Sequence, residues 1–147
     1  MRPRGNPIRL TLIRLGQSGP NPLIISKGRI VTDFLSFKPF SVRVERQALG
    51  DRVARTVIHV AGELDVATSG LLAAAVARAM EAGNAGRADL VVDLAHVRFI
   101  DASGVNVLIR ATSRARSAGG TLVLRSPSRT VRRILDVLRL REVLTVE

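Results

Sequence analysis

From residue 40 onward the chain alternates short apolar segments with polar punctuation, and the period of each segment names its element. Val42 and Val44 alternate with Arg43 and Glu45, the two-residue period of a half-exposed strand. A Gly50-Asp51-Arg52 turn leads to a second apolar run at 56–60, so the two strands are expected to pair as a hairpin. Over 68–82, Leu71, Leu72, Ala75, Val76, Ala79 and Met80 recur at helical spacing, and Gly83-Asn84-Ala85-Gly86 stops the helix. The segment 90–94, Leu-Val-Val-Asp-Leu, is nearly all apolar, as a strand covered on both faces reads. A crossover helix follows. Its buried stripe is Val105, Leu108, Ile109, Thr112 and Ala115, its outer face Asn106, Arg110 and Arg114, and Gly119-Gly120 ends it. Residues 121–124 form the next strand, Ser126-Pro127 reads as an N-cap with proline in the first helical position, and Val131, Ile134, Leu135 and Leu138 point inward from the helix it opens. Residues 143–146 close the pattern as an edge strand. The predicted order is ββαβαβαβ: one α/β domain with a mixed central sheet of four to five strands, three or more helices and right-handed crossovers.

Residues 1–38 read differently. They hold four of the six prolines and the stretch Gly-Gln-Ser-Gly-Pro-Asn-Pro at 16–22, so they are expected to be a basic, flexible extension with no core of its own. Only 8–15 and 23–26 are apolar enough for short strands. The domain proper is expected at 39–147, a size suited to a single core.

Composition narrows the chemistry. Hydrophobic residues make up 46% of the 147 and charged residues 24%, which is a globular balance. With no cysteine and only His59 and His96, a disulfide framework, a thiolate nucleophile and a histidine-rich metal site are excluded. No apolar run approaches the roughly 18–20 residues of a membrane span, and the amino terminus lacks the apolar core of a signal peptide, so a cytoplasmic location is expected. The formal net charge of +11 invites a nucleic-acid reading. However, residues 1–40 alone carry seven basic residues against one acidic, and three of only four aromatics sit at Phe34, Phe37 and Phe40. A stacking platform is missing, so nucleic acid is not the expected partner. An Arg face of Arg110, Arg114, Arg129, Arg132 and Arg133 reads first as solvated surface and second as a footprint for nucleic acid or anionic lipid.

The stretch FIDASGVNVLIRA, 99–111, breaks off at Asp101, sets Ser103 between Ala102 and Gly104, and resumes at helical spacing. In an open α/β sheet, the turn at a strand's carboxyl end is where ligands and partners meet the protein. Ser103 is open to two readings there. As an N-cap its hydroxyl would stabilise the helix by about 1 kcal/mol. As a phosphate acceptor it would set an anion beside the helix amides, favourable by roughly 0.3–1 kcal/mol, and add about −1.5 to −2 charges next to Asp101. A partner fitted to the bare hydroxyl would then be repelled, and a few kcal/mol is on the order of a thousandfold in affinity. Catalysis is not expected. A serine nucleophile needs a base, for which only His59 or His96 is available; Asp101 stands where a GxSxG elbow needs glycine; and no phosphate-binding loop follows Gly83-Asn84-Ala85-Gly86.

Three segments together carry a resemblance. Gly62-Glu63-Leu64-Asp65, Val91-Val92-Asp93-Leu94 and Phe99-Ile100-Asp101-Ala102-Ser103-Gly104 resemble, in order and spacing, the signature segments of the STAS domain, specifically bacterial anti-sigma factor antagonists, over about 40–147. The resemblance implies partner switching. The serine before the glycine is phosphorylated by an anti-sigma factor that is itself an ATP-dependent serine kinase, a separate phosphatase reverses it, and the bare antagonist binds the anti-sigma factor and frees a sigma factor. Transferred to this chain, it makes Ser103 the phosphoacceptor, with Asp101 and Gly104 shaping its turn. Asp65 is expected either in the partner surface or as a carboxylate capping the helix at Thr68. Expected partner contacts are therefore Asp65, Asp101, Ser103, Gly104 and Val105. Ala102, where many members carry a hydroxyl, leaves one acceptor. No cofactor or metal is implied, the oligomeric state is left open, and a weak homodimer is compatible with it. The alternative is an unphosphorylated STAS adaptor in a stress-sensing or lipid-transport complex.

Overall fold

The computed structural model describes residues 9–10, 40–49, 52–83 and 88–147. A two-residue strand, β1 (Arg9–Leu10), lies antiparallel along the edge of β2 (Ser41–Leu49), Leu10 opposite Val44. The expected hairpin forms between β2 and β3 (Arg52–Leu64), antiparallel with Val44 opposite Ile58. Gly50 and Asp51 of its turn lie outside the described residues, as do Asn84, Ala85 and Gly86 of the helix stop and, apart from β1, the fragments 8–15 and 23–26. Helix α1 (Ser69–Glu81) follows, then β4 (Asp89–Ile100), α2 (Ala102–Ser117), β5 (Thr121–Arg125), α3 (Arg129–Val137), a 3-10 turn (Leu140–Glu142) and β6 (Thr145–Val146). Strands pair in chain order, β3 through β6 in parallel. The five strands from β2 to β6 and the three helices are the mixed α/β arrangement that the pattern predicts; β1 adds a sixth strand at the edge.

Alternation places one set of strand side chains under the helices. Ile58, Val60 and Leu64 of β3, Leu90, Val92 and Leu94 of β4 and Leu122 and Leu124 of β5 form one core with Leu72 and Val76 of α1, Val105 and Leu108 of α2, and Val131 and Leu135 of α3. Each of these side chains is at most 7% exposed. On the other face of the sheet a row of polar side chains crosses four strands. Glu45 Oε2 lies 3.3 Å from His59 Nε2, His59 Nδ1 lies 3.3 Å from Asp93 Oδ2, and Arg125 Nη2 donates to the same Asp93 oxygen at 2.8 Å.

Three expectations are corrected. The strand predicted at 90–94 runs to Ile100, because β3 continues beside it with register shifts at His59/Ala61 and Gly62/Glu63 until Leu64 meets Ile100. Gly62 sits at φ +98° at that irregularity, a conformation that favours glycine. His96, expected after the strand, therefore lies within it, opposite Ala61. The cap of the last helix is Ser128, whose Oγ accepts the Val131 N–H at 3.4 Å. Ser126 lies just past β5 in a bend at φ 50°, its N–H held by the Glu147 carbonyl at 3.2 Å. Leu138, expected inward, is 54% exposed: α3 ends at Val137, and Arg139 at φ 53° turns the chain into the 3-10 segment, which sends Leu140 and Leu144 inward in its place.

Candidate functional site

The parallel register sets Leu64 beside Ile100 at the carboxyl ends of β3 and β4, so the residues that follow them, Asp65 and Asp101, enter their turns as neighbours. The Asp101 N–H donates to the Leu64 carbonyl at 3.1 Å and locks the two strand ends together. Two segments 36 residues apart in sequence thus make one surface.

Asp101 is the N-cap of α2, in extended conformation at φ −105° and ψ −174°. Its Oδ1 accepts the N–H groups of Ser103 at 2.8 Å and Gly104 at 3.0 Å, and its Oδ2 accepts the Val66 N–H at 3.2 Å. One carboxylate therefore caps the helix and clasps the loop before α1 to it. The capping role considered for Ser103 is overturned: Asp101 is the N-cap, the helix already runs through Ser103, and the Val105 N–H that a serine cap would need donates to the Asp101 carbonyl at 3.0 Å. Ser103 stands in the first turn of α2, partly exposed, and its hydroxyl makes no hydrogen bond among the described residues.

Asp65 holds the companion loop. Its Oδ1 accepts the N–H of Ala67 at 2.9 Å and of Thr68 at 3.1 Å, while the Thr68 hydroxyl accepts the Asp65 N–H at 2.9 Å and donates to the Glu63 carbonyl at 2.7 Å. Thr68, the N-cap of α1, makes no side-chain cap bond itself. One oxygen of Asp65 thus builds the turn while its side chain stays partly exposed. The loop so fixed presents Val66 at 78% exposure, a residue the sequence reading missed because a single apolar side chain in a polar turn has no period to reveal it.

Gly104 is demanded by contact. A Cβ there would lie 2.7 Å from the Leu64 carbonyl oxygen and 2.8 Å from Ile100 Cγ1, so the absence of a side chain lets α2 start directly against the two strand ends. Val105 is buried in the core at 7% exposure, so its side chain supports the site from beneath. Asp65, Asp101, Ser103 and Gly104 are brought together at the rim, with Ala102 and Asn106 exposed beside them. Neither histidine serves Ser103. His59 belongs to the polar row, and no hydrogen bond joins His96 to the serine. Among the described residues no group of three His, Asp or Glu side chains could hold a metal, and no helix is long and apolar enough to cross a membrane.

Residues 46–147 match the family model of the STAS domain. The chain belongs to the STAS domain family. This STAS domain is 27% identical over 89 residues to the anti-sigma-B factor antagonist of Bacillus subtilis, covering 60% of this chain and 78% of the relative. Among solved structures it is similar to the anti-sigma factor antagonist SpoIIAA in its unphosphorylated form, with a TM-score of 0.56 and 22% identity over 74% of this chain and 88% of that one. The Bacillus cell fate determinant SpoIIAA in its phosphorylated form gives 0.51 at 21% identity, over 74% and 91% of the two chains. An anti-sigma factor antagonist from Mycobacterium paratuberculosis gives 0.55 at 24% identity over 74% and 85%. At these identities the likeness is one of fold.

Proposed function

We propose that this STAS domain is an anti-sigma factor antagonist that binds an anti-sigma factor serine kinase through the rim around Ser103 and is released when Ser103 is phosphorylated. The observation that carries the reading is the free, partly exposed Ser103 hydroxyl, left without a structural task because Asp101 caps the helix. The relative named as an anti-sigma-B factor antagonist supports the partner, and the relative solved in both phosphorylated and unphosphorylated forms supports the modification.

The same geometry supports the sign proposed for the switch. A phosphoryl group on Ser103 would meet the Asp101 carboxylate, which already takes the Ser103 and Gly104 amides. Little is left to hold the new anion in place, so it would project towards the partner with about −1.5 to −2 charges. Val66, on a loop preorganised by Asp65 and Asp101, offers an apolar anchor beside it.

The test is calorimetric titration of the cognate kinase-type anti-sigma factor with the unaltered chain, Ser103→Ala and Ser103→Glu. The alanine protein is expected to bind as the unaltered one does and to resist phosphorylation by ATP. The glutamate protein is expected to bind on the order of a hundredfold or more weakly, since loss of a few kcal/mol is at least that large. Equal affinities for all three proteins would return the chain to the adaptor reading.

A further inference from the structure

We infer that the corner where α3 runs into the 3-10 turn is a second interaction surface, and that it docks on an anionic membrane surface. Three of the exposed large hydrophobic side chains gather there: Val137 at 75%, Leu138 at 54% and Val143 at 42%. They project because α3 stops at Val137 and the left-handed Arg139 turns the chain away from the core. The Arg116 guanidinium, at the end of α2, donates to the Val143 carbonyl at 3.0 Å and ties the corner to that helix.

The charge around these side chains is mostly positive, with Glu142 as the unpaired exception among the printed ion pairs. Of the two acidic residues between 129 and 143, Asp136 is paired with Arg141. Arg132, Arg133 and Arg139 are exposed and meet no carboxylate among the described residues. A groove of about 310 Å³ opens beside Val143, lined by Arg116 and Arg141 together with Glu142.

Protruding aliphatic side chains within a field of arginines suit the boundary between lipid headgroups and acyl chains, where each kind of group meets its complement. Other occupants fit less well. Duplex nucleic acid would satisfy the arginines and offer the aliphatic side chains little, and the corner has no aromatic residue to stack on a base. A second copy of the chain would set arginine against arginine across a two-fold axis. The corner also lies apart from the serine: α2 runs from Ser103 to Arg116, a rise of about 20 Å at about 1.5 Å per residue. Membrane contact would leave the Ser103 rim free.

The test is sedimentation of the full chain with extruded vesicles at about 50 mM salt, where surface charge is weakly screened. Co-sedimentation is expected with phosphatidylglycerol vesicles, none with pure phosphatidylcholine, and binding roughly tenfold weaker at about 300 mM salt. Arg133→Glu with Arg139→Glu is expected to weaken binding about tenfold or more, and Leu138→Ser roughly threefold, with unchanged thermal unfolding. The chain contains no Trp or Tyr, so Val137→Trp supplies a single emitter whose emission is expected to shift to the blue on phosphatidylglycerol alone. Four results would overturn the inference: an unaltered chain left in the supernatant; equal binding by every variant, which would move the contact to the basic residues 1–40; tryptophan emission that stays at its water value while the protein is bound; or tighter binding to duplex DNA or to a polyglutamate peptide at the same salt.

Discussion

At the scale of single residues, the site turns on which of two neighbouring capping types takes the helix amides. Asp101 and Ser103 both have side chains that accept backbone N–H groups, and composition does not choose between them. The choice is made by β4, which stays extended to Ile100 and delivers Asp101 to the helix start with its carboxylate facing the Ser103 and Gly104 amides. The consequence is measurable. Asp101→Ala removes a cap and the bond to Val66 and is expected to cost about 1–2 kcal/mol, whereas Ser103→Ala is expected to stay within about 0.5 kcal/mol of the unaltered chain. Urea midpoints at unchanged m-value read both. If Ser103→Ala proved the more destabilising, the capping assignment would be reversed. Gly104→Ala is expected to cost about 1–3 kcal/mol, because the new methyl group meets the Leu64 carbonyl and Ile100 with no room to move. The sequence made Ser103, Asp101 and Gly104 legible as a group. It could not reveal that Asp101 also reaches Val66, because that bond depends on the register of two parallel strands.

At the scale of elements, the periodic signals were the readable ones. Helices α1 and α2 appear where apolar residues recur at helical spacing, and the hairpin where they alternate. The second half of β4 was hidden because Ala95, His96, Arg98 and Phe99 break the apolar pattern, while His96, Val97, Phe99 and Ile100 continue to pair with β3. Invisible too was the row that links β2 to β5 through Glu45, His59, Asp93 and Arg125, since each member is a polar residue inside a different strand. Burial, the largest influence on Asp93, pushes its pKa upward. The Arg125 bond, the Ala95 N–H and the charges of Arg125 and His59 together outweigh it, and the carboxyl ends below its ordinary value of 3.8. A lowered folded-state pKa contributes stability that is fully present above the unfolded value and is lost as pH falls through the folded one. The domain is therefore expected to lose stability on acidification below about pH 4, and Asp93→Asn is expected to flatten that part of the profile while lowering stability at neutral pH. Thermal unfolding of both proteins between about pH 3 and 7 checks it. Parallel profiles would place the acid sensitivity elsewhere.

At the scale of the whole molecule, the parallel strands give the domain two poles. Their carboxyl ends carry Ser103, Asp101 and the exposed Val66, and the returning helices carry Arg116, Val137 and Leu138 to the opposite end. Coupling between the poles would need an element with two arrangements that both sites bias. The segment between them is α2, a continuous helix packed on the core through Leu108, Ala111 and Ala115, its buried Thr112 hydroxyl bonded within the helix to the Leu108 carbonyl at 2.9 Å, and the structure holds it in one arrangement. The two surfaces are thus expected to act independently. Ser103→Glu, which on the proposed reading weakens partner binding on the order of a hundredfold or more, should leave the affinity for phosphatidylglycerol vesicles within about twofold. Reciprocally, saturating vesicles should leave the affinity for the anti-sigma factor within the same margin, because linkage requires a single coupling factor in both directions. Titrating one ligand in the presence and absence of the other measures that factor. A value far from one would place a second arrangement of α2 between the poles.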